Sequence, residues 1–154
     1  MGMRVLRHVQ GNQGIMILGV TASRTWTDRK MISDGFDEAA ELFLRPWNRK
    51  SVVVINGGAR GGDELCRVEA DSRGWHTAII KPLWGFYQKP AGHVRDAAMI
   101  YLGKGNASRW LAFISQCVLV ECLDEEPHDS HGAGKTAERA EAAGIDVKRY
   151  GWRY

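Results

Sequence analysis

The residues best suited to chemistry are the eight of Asn56–Asp63 (NGGARGGD), which follow a β-branched apolar run. Gly57, Gly58, Gly61 and Gly62 let the backbone turn and approach a ligand without a Cβ in the way, with Ala59 between them. A helix start directly after such a loop offers unpaired N–H groups to an anion. Arg60 adds a forked guanidinium suited to phosphate. Asp63 would repel a phosphate sharing its pocket, so it is expected to cap the helix or to accept ribose or amide hydrogens.

Three further clusters carry the same chemistry. In Gly19–Asp28 (GVTASRTWTD), Thr21 and Ser23 supply hydroxyls and Arg24 a phosphate partner, while Trp26 is either a base-stacking ring or a core side chain. In Trp84–Met99, Arg95 is placed to reach phosphate, and Asp96 either holds that arginine or stabilises a helix start. His93 is more simply structural than a general base. The last cluster joins Glu121 to the acidic loop Asp124–His131 and to Gly132–Glu138 (GAGKTAE). Its GKT ending imitates a nucleotide-binding loop, but Asp129 stands where the first glycine belongs. Lys135 near a helix start remains able to touch an anion. The histidines at 8, 76, 93, 128 and 131 form no recognisable metal cluster, although His128 and His131, three apart in an acidic loop, allow weak adventitious metal binding; Cys66, Cys117 and Cys122 read as buried free thiols of a reducing compartment, with a redox or metal role as the alternative. No metal site is expected.

Elements that could position these clusters follow from hydrophobic patterning. Ile15–Val20, Ser51–Ile55, Thr77–Ile80 and Cys117–Cys122 read as strands, with Ile145–Lys148 a marginal fifth. Helices are expected over Asp28 to Leu44, from Asp63 to about Arg73, over Ala91–Leu102 and over Lys135–Ala143. This alternation predicts an α/β fold, a doubly wound and mostly parallel sheet with helices on both faces. The clusters then fall at the carboxyl ends of the strands, where such sheets bind ligands. A chain of 154 residues fits one such domain. No apolar run is long enough to cross a bilayer and no apolar leader is visible, so a cytoplasmic protein without membrane attachment is expected. The formal charge of +3 is too small to imply nucleic acid and only slightly favours anionic ligands.

The ordered motifs GVTASRTWTD, VVVINGGARGGDELCRVEADSRG, PLWGFYQKPAGHVRDAAM and DSHGAGKTAERAEAAGI resemble the YspA-like branch of the SMF/DprA–LOG (SLOG) superfamily. The resemblance implies a Rossmann-like domain that binds nucleotides or nucleotide-derived signals. Ser23 and Arg24 match its GSR element. Gly57, Gly58, Arg60 and Asp63 match GGARGxD; Gly92, Arg95 and Met99 match AGxxRNxxM. Ser130, Gly132 and Ala133 stand at its SxGT element, and Asp96 and Ala133 depart from the usual asparagine and threonine. The implied ligand is AMP, ADP-ribose or an NAD-like compound, bound by a sensor or binding domain. Related LOG enzymes cleave nucleoside-monophosphate N-glycosidic bonds, which would use Arg60 or Arg95 with Glu121 or Glu138. The DNA-processing branch binds single-stranded DNA. Lacking a clear basic and aromatic stripe, the sequence disfavours nucleic acid as a partner, and the tryptophans suit a homodimer or higher homo-oligomer.

Overall fold

In the computed structural model, which describes residues 16–44, 52–104 and 107–154, five strands alternate with helices. The order is β1 (Met16–Ala22), α1 (Arg29–Leu44), β2 (Val52–Asn56), α2 (Gly62–Ser72), β3 (His76–Ile79), α3 (Trp84–Tyr87), α4 (Ala91–Lys104), β4 (Ala107–Ile114), α5 (His131–Ala142) and β5 (Val147–Gly151). All strands pair in parallel, in the order β3-β2-β1-β4-β5. The chain winds outward from β1 to β3, returns across the sheet, and continues from β4 to β5. The strand order therefore reverses between β1 and β4. This is a doubly wound, Rossmann-like sheet.

Helices α1 and α2 cover one face, where Phe36, Ile32, Cys66 and Ala70 pack on Val20, Val54, Leu111 and Phe113. On the other face, Met99 and Ile100 of α4 and Ala137 and Ala140 of α5 meet Ile55, Trp110, Ala112 and Ile114. Asp28 caps α1 by accepting the Met31 N–H at 2.9 Å. Trp110 lies so close to β1 that a Cβ on Gly19 would stand 2.0 Å from its ring, which restricts position 19 to glycine.

One strand differs from the expectation. The Cys117–Cys122 run is a loop, and the fourth strand is Ala107–Ile114. Residues 110–114 are fully buried, whereas Val118, Leu119 and Val120 are exposed. An apolar β-branched run forms a central strand only when both its faces are covered, and the cover lies over Trp110–Ile114. Parts of two expected strands, Ile15 and Ser51, fall outside the described residues, as do the first dozen residues.

Candidate functional site

Loops after β1, β2 and β4 and the first turns of α4 and α5 enclose a cavity of about 300 Å³ at the point of strand-order reversal. Thr21, Ser23, Arg24, Gly57, Ala59, Asp63, Arg95, Asp96, Ser130, Gly132 and Ala133 all line it. Gly58 and Arg60 line an adjoining groove of about 470 Å³ that shares Arg24, Gly57, Ala59 and Arg95 with the cavity. Gly61 lines neither and packs against the backbone of Arg24.

Ser23 is buried and fully engaged. Its N–H donates to Phe113 O, its Oγ accepts the Ser115 N–H at 2.8 Å, and it shares a hydrogen bond with Ser130 Oγ. This locks the loops after β1 and β4 together. Asp63 does the same for the loops after β1 and β2: Oδ1 accepts from Ala22 N at 3.1 Å and Oδ2 from Ala59 N at 3.0 Å. Asn56 completes the clamp by donating to Asp63 O and accepting from Gly58 N. The amides of Gly58, Ala59 and Gly62 are thus satisfied within the protein, so much of the glycine loop's N–H array is not available to an anion.

Arg95 is also committed. Its Nη1 donates to Gly57 O at 2.9 Å and its Nε to Asp96 Oδ1 at 2.6 Å, and a Cβ on Gly57 would stand 2.3 Å from that guanidinium. Arg24, Arg60 and Lys81 have no ion-pair or hydrogen-bond partner among the described residues, and all three line the groove. Trp84, 53% exposed, lies beside them. At the opposite wall, Ser130 precedes α5 but makes no side-chain cap, and His131, Gly132 and Ala133 of the first turn, where helix amides lack intrahelical partners, line the cavity.

Glu121 and Glu138 do not line the cavity; Glu138 lies about two turns beyond the start of α5 and is exposed. The carboxylates that line it are Asp63 and Asp96. Trp26 belongs to the core, packed on Phe113, and its Nε1 donates to Asp28 O. His93 pairs with Arg139 outside the cavity. The GKT run lies inside α5, where Thr136 Oγ1 donates back to Gly132 O, so it is not a phosphate loop.

Burial pushes the Asp63 carboxyl up to about 6, against the pull of the Ala59 amide, Arg95 and the Ala22 amide. Below about pH 4 the folded and unfolded chains both hold this proton. As the pH rises through about 6 the folded protein must bury the charge, and the stability owed to the group falls by about 3 kcal/mol. Asp63→Asn should cost about 1–3 kcal/mol for the lost acceptor, with no such titration. The stability gap between wild type and variant, measured by urea denaturation, should therefore shrink between pH 4.5 and pH 7.5. A constant gap would show that the carboxyl titrates normally.

One constellation was not legible as such. Cys117 and Cys122 are half-buried and not core thiols, and they meet His128 and His131, with all four ligand atoms within 4.8 Å of one another. The expectation of no metal-ligand cluster is corrected accordingly. The spacing Cys-x4-Cys-x5-His-x2-His was the available signal, hidden by reading its first half as a strand.

No family model matches the chain. The Gene 61 protein of Mycobacterium phage D29 is 31% identical over an alignment of 93 residues that covers 54% of this chain and 67% of that protein. The chain belongs to the family of that phage protein. Among solved structures it is similar to DNA processing protein A (DprA) from Streptococcus pneumoniae, with a TM-score of 0.48 and 18% identity over 88% of this chain. The match spans about half of that structure, 50% of its length. The expectation that disfavoured nucleic acid rested on the lack of a basic and aromatic surface, and the groove beside the cavity corrects it. The basic and aromatic groups thought missing are Arg24, Arg60, Lys81 and Trp84, dispersed along the sequence and gathered only by the fold.

Proposed function

We propose that this chain binds single-stranded nucleic acid, with backbone phosphates on Arg24, Arg60 and Lys81 and a base against Trp84. The observation that carries this reading is the groove holding three cations, unpaired among the described residues, beside an exposed indole. Unpaired cations gain most from neutralising phosphate, because they give up no existing ion pair, and an exposed ring accepts any base on its face. The groove continues into the cavity, so a terminal or splayed nucleotide can enter it and set its phosphate near the α5 amides.

A free nucleotide is the second reading. It is favoured by the size of the enclosed cavity, at the lower end of the range for small-molecule sites, and by its mixed wall of Met99, Leu119, Ser130 and Thr21. Bond cleavage is not part of either reading, since Glu121 and Glu138 lie away from the cavity.

Fluorescence anisotropy with a labelled oligothymidylate, competed by duplex DNA, AMP, ADP-ribose and NAD, tests both. The primary reading expects retention of the single strand at low salt, weakened by added salt and poorly competed by free nucleotides. Full competition by one nucleotide would establish the second reading. Retention of neither class would end both.

A further inference from the structure

We propose that Cys117, Cys122, His128 and His131 form a closed tetrahedral site for a divalent transition metal, best suited to Zn²⁺, which organises the loop between β4 and α5. The inference is independent of what the cavity binds.

The four side chains converge although they span a loop of irregular backbone. Zinc–nitrogen bonds of about 2.0–2.1 Å and zinc–sulfur bonds of about 2.3 Å in tetrahedral geometry set nitrogen pairs about 3.3 Å apart and sulfur–nitrogen pairs about 3.6 Å apart. His128 Nε2 and His131 Nε2 are 3.1 Å apart. Cys122 Sγ lies 3.4 Å from His128 Nε2 and 3.5 Å from His131 Nε2, and Cys117 Sγ lies 3.8 Å from His131 Nε2. These are the spacings of atoms sharing one small cation.

The protonation pattern agrees. His128 Nδ1 lies 2.8 Å from Glu126 O, which can only accept, so Nδ1 carries the hydrogen and Nε2 is left with its lone pair facing the cluster. A backbone carbonyl holding the far ring nitrogen is the usual outer support of a metal-bound histidine. Two thiols and two imidazoles form a donor set that selects zinc over magnesium or calcium. On binding, the two thiols lose their protons to solvent and the two thiolates balance the ion's charge.

The loop also needs such a support. Its neck is closed by the Gln116–Asp129 bridge and by Cys117 N donating to His128 O at 2.8 Å. Beyond the neck, Val120 and Leu123 are 96% and 95% exposed, so this segment has no apolar interior of its own. Small segments without a core are commonly held by metal. With four protein ligands no coordination position stays open for a substrate, so the role is structural. His131 is the first residue of α5, and Val118 and Leu119 line the cavity, so the ion would fix one cavity wall.

The test uses the full chain expressed in zinc-supplemented medium, then stripped and reloaded with Co²⁺. The proposal expects about one zinc per chain by elemental analysis and, with cobalt, the intense visible bands of a tetrahedral ion plus a thiolate charge-transfer band. Cys122→Ser and His131→Gln should each weaken cobalt affinity by more than about 100-fold, beyond the effect of losing only an outer-shell partner. His76→Gln, at the opposite ends of the strands, should leave affinity unchanged. Chelation should expose the loop between residues 117 and 130 to limited proteolysis. Wild-type protein without zinc, a weak octahedral cobalt spectrum, or a Cys117–Cys122 disulfide in freshly purified protein would each overturn the proposal. These wild-type readings decide the matter even if a variant fails to fold.

Discussion

Gly61→Ala is expected to destabilise the protein by about 3 kcal/mol or more, the combined scale of a strained backbone and a hard steric conflict. Gly61 has φ 81° and ψ −117°, a region almost closed to residues with a Cβ. An added Cβ would stand 1.9 Å from Arg24 O, a backbone atom that can retreat only if the loop after β1 moves. That loop is held by Gly62 N donating to Ser23 O and by Asp63 bonding Ala22 N, so relief of the clash breaks the contact that assembles the cavity. Gly74→Ala supplies the control. It also has a positive φ, of 71°, but an added Cβ meets nothing within 4 Å. It should cost only about 1–2 kcal/mol of left-handed strain. Urea denaturation of the two variants separates strain from collision, and equal losses would remove the steric account.

The double variant Arg24→Gln with Arg60→Gln is expected to lose about 100-fold in affinity for an oligothymidylate. Each charged hydrogen bond to phosphate is taken at about 1.5 kcal/mol, the low end of its range. The slope of log affinity against log salt should become shallower by about 1.4, from about 0.7 per phosphate contact on a single strand. Stability should change by less than about 0.5 kcal/mol, because neither guanidinium has a partner among the described residues. Arg95→Gln should behave in the opposite way, losing stability because Gly57 O and Asp96 lose their donor. Unchanged affinity and slope in the double variant would remove Arg24 and Arg60 from the interface.

The difference between these arginines shows what was legible in advance. All three stand in glycine- or helix-flanked motifs after strands, and patterning alone placed them at one edge of a parallel sheet. Local sequence cannot tell which guanidinium is spent on the protein itself. Arg95 is consumed by a carbonyl 38 positions away in sequence, and Asp63 by an amide 41 positions away. Both partners are backbone atoms, which leave no trace in residue type.

β1 and β2 could be read because apolar runs covered on both faces have few other uses, and β3, a half-exposed edge strand, because it is a short apolar run between a helix and a proline loop. β4 could not, because RWLAFI and CVLVEC carry similar apolar content, and only packing by α1, α4 and α5 decides which run is covered.

The sequence by itself determined the alternation of strand and helix, and with it the sheet edge where polar loops gather, since periodicity and glycine placement act over a few residues. Tertiary structure alone decided which charges stay free, and it alone brought two cysteines and two histidines together. The first outcome depends on contacts between segments far apart in the chain, made only once the core has fixed their positions; the second depends on the course of a single loop, which the Gln116–Asp129 neck sets.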